Sequence, residues 1–137
     1  MIWNTVLNLP ASKNITPVQT NIVSDELWDI SDFEDTVSKD WDLANQIILD
    51  YIDQTRHFLV ACNDLIENKD FEELHRVAHT LKGSSAAISA NRLTNISAKL
   101  SQATKDKDAA AFRTHLKEFE QTFELFILTT NKWDHKC

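Results

Sequence analysis

Apolar residues recur at steps of three and four from about residue 40 onward, which is the period of amphipathic helices. The longest pattern predicts a helix that begins near Asp40 and ends near Lys69. A second helix is predicted after Asp70, where Glu73 gives a start that resembles a capping box. The apolar stripes are Leu43, Ile47, Ile48, Tyr51, Ile52, Phe58, Leu59, Cys62, Leu65 and Ile66 in the first helix, and Leu74, Val77, Leu81, Ser85 and Ile88 in the second.

Three more helices are predicted on either side of this pair. Asn91 is interpreted as the N-cap of one helix, and another is expected to begin near Asp106 or Asp108. Ser24 is interpreted as the cap of a short helix that precedes the long one. The apolar sets are Leu27, Trp28 and Phe33 in the short helix, Leu93, Ile96, Leu100 and Ala103 in the next, and Phe112, Leu116, Phe119, Phe123 and Phe126 in the last.

These elements predict an all-α fold, an up-down-up-down antiparallel four-helix bundle with one or two short flanking helices at its N-terminal end. The predicted connections are short, roughly two to four residues, so consecutive helices should run antiparallel. A β-rich fold needs many tight turns, and the chain has only one glycine and two prolines to form them. Residues 1–23, which hold both prolines and no sustained period, are interpreted as a tail or linker, and residues 24–137 as the single domain.

The composition of the chain excludes several classes of function. The formal net charge of −7 argues against general nucleic-acid binding. No apolar run approaches the roughly 20 residues of a membrane span, so no membrane partner is expected. Cys62 and Cys137, one in a helical pattern and one terminal, suit a reducing compartment rather than a disulfide scaffold. The expected protein is a monomer in the cytoplasm, with the nucleus as a second location.

The stretch from His75 to Gly83 is the most informative for chemistry. At 100° per residue, the stripe of Leu74, Val77 and Leu81 places His79 about 160° away from the apolar face, toward solvent. His75, Lys82 and Gly83 lie three or four residues from His79 and share its face. The pattern therefore predicts an exposed imidazole on a rigid helix.

Gly83 is the one glycine of the chain, and it interrupts a helix in which glycine costs about 1 kcal/mol relative to alanine. The functional interpretation is clearance, because a missing side chain one turn from His79 lets another protein approach the ring. The structural alternative is close packing against a neighbouring helix. Clearance is favoured, since the period places Gly83 away from the core.

An exposed imidazole beside a lysine suits phosphoryl transfer. Neutral imidazole is a nucleophile near neutral pH, because the ordinary pKa of histidine is about 6.5. Lys82 can neutralise phosphoryl oxygens as a point cation. Four further basic residues could also neutralise phosphoryl oxygens, although each is more simply interpreted as part of a solvated charged surface. They are Arg76, Arg92, Lys99 and Lys105.

The run of residues 79–85, His-Thr-Leu-Lys-Gly-Ser-Ser, resembles the signature of histidine-phosphotransfer domains. The resemblance extends to residues 51–54 and 71–93, covers residues 41–105 well, and is closest to yeast-type phosphorelay intermediates of stress signalling. It implies that His79 accepts the phosphoryl group through Nε2, that Lys82 stabilises its charge, and that Ser84 hydrogen-bonds locally. It also implies a carrier without kinase activity and without a cofactor of its own.

The same resemblance implies the partners. They are the receiver domain of a hybrid sensor kinase and the receiver domains of response regulators, which would supply Mg²⁺. Two positions depart from the yeast-type pattern. Thr80 replaces a bulky apolar residue, so the contact beside His79 should be smaller, and Ser89 replaces a turn glycine, so the turn geometry should differ. The expected partner-binding residues are Trp28, Ile30, Phe33, Leu43, Ile47, His75, Arg76 and Thr80, with core packing as the alternative for each apolar one.

Two other functions remain as alternatives. Glu72 and His75 have the Glu-x-x-His spacing of carboxylate-bridged metal bundles, but the second such pair that these bundles need is missing. A helical interaction module without chemistry would use the same apolar residues to bind a partner helix. Such a module has no need of His79, Lys82 and Gly83 together, so phosphotransfer is the favoured function.

Overall fold

The computed structural model describes residues 25–133, and within that range it contains five helices and no strand. The helices are α1 (Ile30–Thr36), α2 (Trp41–Glu67), α3 (Phe71–Ala87), α4 (Asn91–Lys105) and α5 (Ala109–Asn131). The predicted all-α fold is confirmed, with one short flanking helix in the described range. The tail proposed for residues 1–23, the cap proposed at Ser24 and the terminal Cys137 lie outside the described residues.

Aspartate side chains cap most of the helices. The sequence predicts the cap at Asp70, and it places the starts of two other helices near Asp40 and near Asp106 or Asp108. The carboxylates of Asp40, Asp70 and Asp108 accept hydrogen bonds from backbone amides in the first turns of α2, α3 and α5. For α1 the prediction is wrong, because the helix begins at Ile30 and its cap is Asp29. The predicted Ser24 cap lies five residues too early in the chain.

The predicted cap of α4 is also wrong. Asn91 is the first residue of the helix, and the N-cap is Ala90, whose side chain makes no capping bond. The preceding turn is instead held by residues before α1. The indole Nε1 of Trp28 donates to the carbonyl of Ile88 at 2.9 Å, and the amide of Asp29 donates to the carbonyl of Ser89 at 2.9 Å. Those two bonds satisfy carbonyls at the end of α3. The first turn of α4 has its acceptor in the carbonyl of Glu26, to which the Arg92 amide donates at 3.0 Å, so a tertiary contact replaces a local cap.

Helices α2 to α5 form the predicted antiparallel bundle. Tyr51 near the start of α2 reaches Ser85 near the end of α3, and His75 near the start of α3 reaches Thr104 at the end of α4. Arg113, near the beginning of α5, forms an ion pair with Glu67 at the end of α2, so these two helices are antiparallel as well. The core between them is apolar, and its fully buried phenylalanines are Phe33, Phe112, Phe119, Phe123 and Phe126.

Helix α1 packs across one end of the bundle through aromatic rings. The ring of Trp28 lies 5.7 Å from Phe33, 5.3 Å from Phe126 and 5.4 Å from Trp133, measured between centroids. These spacings are typical of tilted and edge-to-face aromatic pairs. The described helices are all too short or too polar to cross a bilayer.

Candidate functional site

His79 lies in the middle of α3, with its side chain exposed to solvent. Leu74, Val77 and Leu81, which share the opposite face of the helix, are buried in the core. Within residues 25–133, no hydrogen bond or ion pair engages the His79 ring. The arrangement leaves a ring nitrogen free to act as a nucleophile, on a helix whose other face is fixed by packing.

Gly83 lies one turn after His79 and borders open space. A Cβ added to Gly83 would meet no atom within 4 Å outside its own helix turn. The backbone φ of Gly83 is not positive, so the helix conformation does not require glycine either. The packing alternative is therefore excluded for the described residues, and the space in front of His79 is open.

Lys82 and Ser84 complete the stretch after His79. Lys82 is exposed, and no described acidic residue pairs with it. Ser84 is half-buried, and its hydroxyl donates to the carbonyl of Leu81 at 3.3 Å. The predicted local hydrogen bond of Ser84 is confirmed. The Lys82 ammonium, by contrast, is left available for a phosphoryl group.

His75 lies one turn before His79 and is half-buried against α4. Its Nδ1 is 2.9 Å from the Thr104 hydroxyl and 3.4 Å from the Ser101 hydroxyl. The rings of His75 and His79 are nearly parallel, with centroids 6.5 Å apart and an interplanar angle of 20°. Sequence reasoning placed His75 on the His79 face but gave no signal of the contact with α4.

Arg76 and Thr80 lie on the flank of His79 that faces away from Lys82. The Arg76 Nε donates to both Glu73 oxygens, at 3.1 and 3.0 Å. The hydrogen bond from this guanidinium holds the pKa of the Glu73 carboxyl below its ordinary value, and the Glu73 carboxylate raises the pKa of Arg76. The Thr80 hydroxyl donates to the Arg76 carbonyl at 3.0 Å. Both side chains are thus engaged within their own helix.

The apolar docking patch predicted from the sequence is only partly at the surface. Trp28 and Phe33 are 4% and 1% exposed, so their assignment as partner contacts is wrong. The aromatic cluster around Trp133 covers them, and the core-packing alternative applies. Ile30 and Ile47 are half-buried, and Leu43 is 47% exposed.

A groove of about 460 Å³ between α2 and α3 begins beside Ser84, five residues from His79. Ile47 from the predicted patch lines it, together with residues that sequence reasoning did not assign to a binding surface. These are Asp50, Tyr51, Asp53, Gln54, Ala87 and Ile88. If the pairing of α2 with α3 had been known, the positions of these residues on the two facing helices could have identified them as lining a groove.

The turn after α3 contains Ser89 in a left-handed conformation, with φ of 63°. This is the backbone region that glycine favours, so the serine adopts it at a cost of roughly 1 kcal/mol. The Ser89 hydroxyl donates to the Asp32 carboxylate, and this bond ties the turn to α1. Ser89 thus adopts a conformation that glycine favours, and the expected difference from the yeast-type turn stays a prediction.

Metal-ligand side chains do not gather into a site in the described part of the chain. No group of three or more histidine, cysteine, aspartate or glutamate residues there has the geometry to hold an ion. His75, one half of the Glu72-x-x-His75 pair, instead directs its Nδ1 to Thr104. The metal-bundle alternative has no support from this geometry.

Comparison with known protein families identifies the fold family of this chain. A family model described as Hpt domain matches residues 46–126, more than half of the chain. The matched range begins in α2, contains all of α3 and α4 and ends in α5. No curated protein sequence and no solved structure matches the chain.

Proposed function

Because the chain belongs to the Hpt domain family, which serves histidine phosphotransfer in phosphorelays as a phosphocarrier and not as a kinase, we propose that His79 is its phospho-accepting residue. The observation that carries this proposal is the environment of the His79 ring. It is exposed at the centre of α3, has no hydrogen-bond or ion-pair partner among residues 25–133, and lies one turn from the open space at Gly83. His57, the other exposed histidine in the described range, lies on α2, and its Nδ1 is 2.9 Å from the Asp53 carbonyl.

The transfer step uses the Nε2 lone pair of neutral His79. It attacks the phosphorus of a phospho-aspartyl group, an N–P bond forms, and the O–P bond breaks with its electron pair returning to the aspartate carboxylate. The Nδ1 proton of His79 then passes to water. Lys82 offsets negative charge on the phosphoryl oxygens, and Gly83 admits the receiver surface. Mg²⁺ comes from the receiver domain, and this chain brings no cofactor.

Receiver domains dock, in this proposal, on the exposed surface that continues from His79 along α3 and α2. Leu43 and Ile47 supply apolar contact, and Ile30 extends it toward α1. Arg76, Thr80 and His75 border the reacting ring. Such a mixed and modest surface suits an interface that must exchange partners.

The route of the phosphoryl group is the finer part of the proposal. It passes from the receiver domain of a hybrid sensor kinase to His79 and then to a response regulator. The motif of residues 79–85 supports this route through its resemblance to yeast-type intermediates of stress signalling in fungi. The protein acts as a monomer in the cytoplasm, and in the nucleus where its regulator is nuclear.

The test mixes the purified protein with a phosphorylated receiver domain and Mg²⁺. Label should appear on the wild-type chain and show the acid-labile, base-stable behaviour of phosphohistidine. His79→Gln should fold normally and take up no label, because the exposed ring makes no described contact whose loss would destabilise α3. His57→Gln is the matched control and should be labelled like the wild type.

Each other outcome has a defined meaning. Label on His79→Gln would refute the assignment of His79. Binding of the receiver domain without label on the wild-type chain would favour the alternative of a helical interaction module without chemistry. In that case the family membership would describe the fold and the partner but not a reaction.

A further inference from the structure

His75 holds its proton on a defined ring nitrogen because of one hydroxyl on α4. The Thr104 hydroxyl donates its single proton to the Ser101 carbonyl at 2.6 Å. Thr104 Oγ1 can therefore only accept in its 2.9 Å contact with His75 Nδ1, so Nδ1 carries the proton in the neutral ring. The Ser101 hydroxyl, at 3.4 Å from Nδ1, is the longer and weaker partner. Nε2 is thus left with its lone pair.

The Nε2 edge of His75 has no partner in residues 25–133, and the ring borders a cavity of about 730 Å³. The charged residues around the cavity come from the ends of α3 and α4 and the turns beside them. They are Lys69, Asp70, Glu72, Lys105 and Lys107. Two carboxylates and three ammonium groups nearly offset one another.

His75 and Lys82 flank His79 on the same side of α3. They lie four residues before and three residues after it, and at 100° per residue both are rotated from His79 toward α4. The 6.5 Å distance between the two parallel imidazoles places His75 within electrostatic range of a group bound to the His79 ring. A phosphoryl group on that side would meet a lysine at one end and an imidazole at the other.

We propose that His75 is a second charge-compensating residue of the phosphoryl site, which takes up a proton from water on Nε2 when His79 is phosphorylated. The Thr104 hydroxyl directs that proton to Nε2, since Nδ1 is already protonated. The inference rests on the proposed function of His79. It assigns His75 a role in stabilising the phosphorylated state, beyond the contact with a partner.

The expected effect follows from the spacing. The ring centroids of His75 and His79 are 6.5 Å apart. A positive charge at roughly this distance from a phosphoryl group of charge about −1.5 to −2, in water-like surroundings, favours the phosphorylated state roughly five- to ten-fold. The effect requires protonated imidazole, so it should be present near pH 6 and fade toward pH 8.5. Added salt should weaken it as well.

The test compares the wild type with His75→Asn at fixed concentrations of a phosphorylated receiver domain. The asparagine amide can keep the donor to Thr104 but has no nitrogen to protonate. At pH 6 the equilibrium constant for phosphorylation should be about five-fold lower in His75→Asn, and at pH 8.5 the two proteins should agree. The ratio of the two proteins at each pH removes the pH dependence of the receiver domain. His57→Asn is the control and should equal the wild type throughout.

A second measurement observes the ring itself. Nitrogen NMR of His75 should show Nδ1–H and a bare Nε2 before phosphorylation, and protons on both nitrogens afterwards at neutral pH. Thr104→Ser, which keeps the hydroxyl, should preserve this pattern, and Thr104→Val should lose the preference for Nδ1–H.

A pH-independent deficit in His75→Asn, or a His75 ring that stays neutral in the phosphorylated protein, would overturn the inference. If the wild type and His75→Asn are labelled equally at both pH values while His79→Gln is not labelled, His75 has no such role but His79 stays the acceptor. If the wild type takes up no label at all, the proposed function fails and this inference fails with it.

Discussion

Replacing Gly83 with alanine should make the protein more stable and a poorer acceptor at the same time. The added methyl group meets no atom within 4 Å outside its own helix turn, so it causes no steric cost in the fold. Alanine in a helix interior is favoured over glycine by about 1 kcal/mol. For a folded unit of about 110 residues, that free energy corresponds to a rise in Tm of roughly 4 °C.

The rate of transfer should change in the opposite direction. The same methyl group occupies the space through which a receiver surface approaches His79, and a displacement of about 1 Å at a reacting centre can cost on the order of a hundred-fold in rate. We expect transfer to Gly83→Ala to be slowed at least several-fold, and transfer to Gly83→Gln to be slowed further. Thermal melts by circular dichroism and transfer from a phosphorylated receiver domain measure the two effects.

A small phosphoryl donor separates clearance from intrinsic reactivity. Phosphoramidate is far smaller than a receiver domain, so its reaction with His79 should be nearly the same in Gly83→Ala and the wild type. Transfer from the receiver domain at the wild-type rate in both Gly83 variants would refute the clearance argument. A loss of stability in Gly83→Ala would show that the open space is filled by part of this chain.

Two further predictions concern stability. Asp70→Ala should lower the free energy of unfolding by about 1 kcal/mol, because the Glu73 amide at the start of α3 loses its capping partner; urea denaturation measures this. Tyr51→Phe should cost about 1–2 kcal/mol, since it leaves the buried Ser85 hydroxyl without its 2.7 Å partner. Burial raises the pKa of Tyr51 from 10.0 to about 12, so its neutral form is favoured in the folded state. The resulting stability is complete below pH 10 and is lost as pH rises toward about 12, and the wild type should therefore lose more stability than Tyr51→Phe over that range. Equal losses in the two proteins would contradict the assignment.

The local pattern predicted that the described chain is helical and that the His79 ring lies on the exposed face of its helix. The apolar stripe of α3 alone orients His79 toward solvent, because a helix fixes the direction of each side chain relative to its neighbours. The exposure of Gly83 follows from the same period, and aspartate caps such as Asp70 are encoded within four residues of the helix they begin.

Contacts between distant parts of the chain decided the rest. In a helix of only seven residues, the sequence pattern is the same whether the apolar side chains face a partner protein or the bundle. Trp133, about 100 residues further along the chain, contacts Trp28 and Phe33 and covers them. The start of α4 at Asn91 depends on the carbonyl of Glu26, which accepts from the Arg92 amide in place of a side-chain cap. The hydrogen bond of His75 Nδ1 depends on Thr104, on a neighbouring helix. Helical periodicity specifies which face of a helix is buried, but only packing specifies which residue lies opposite.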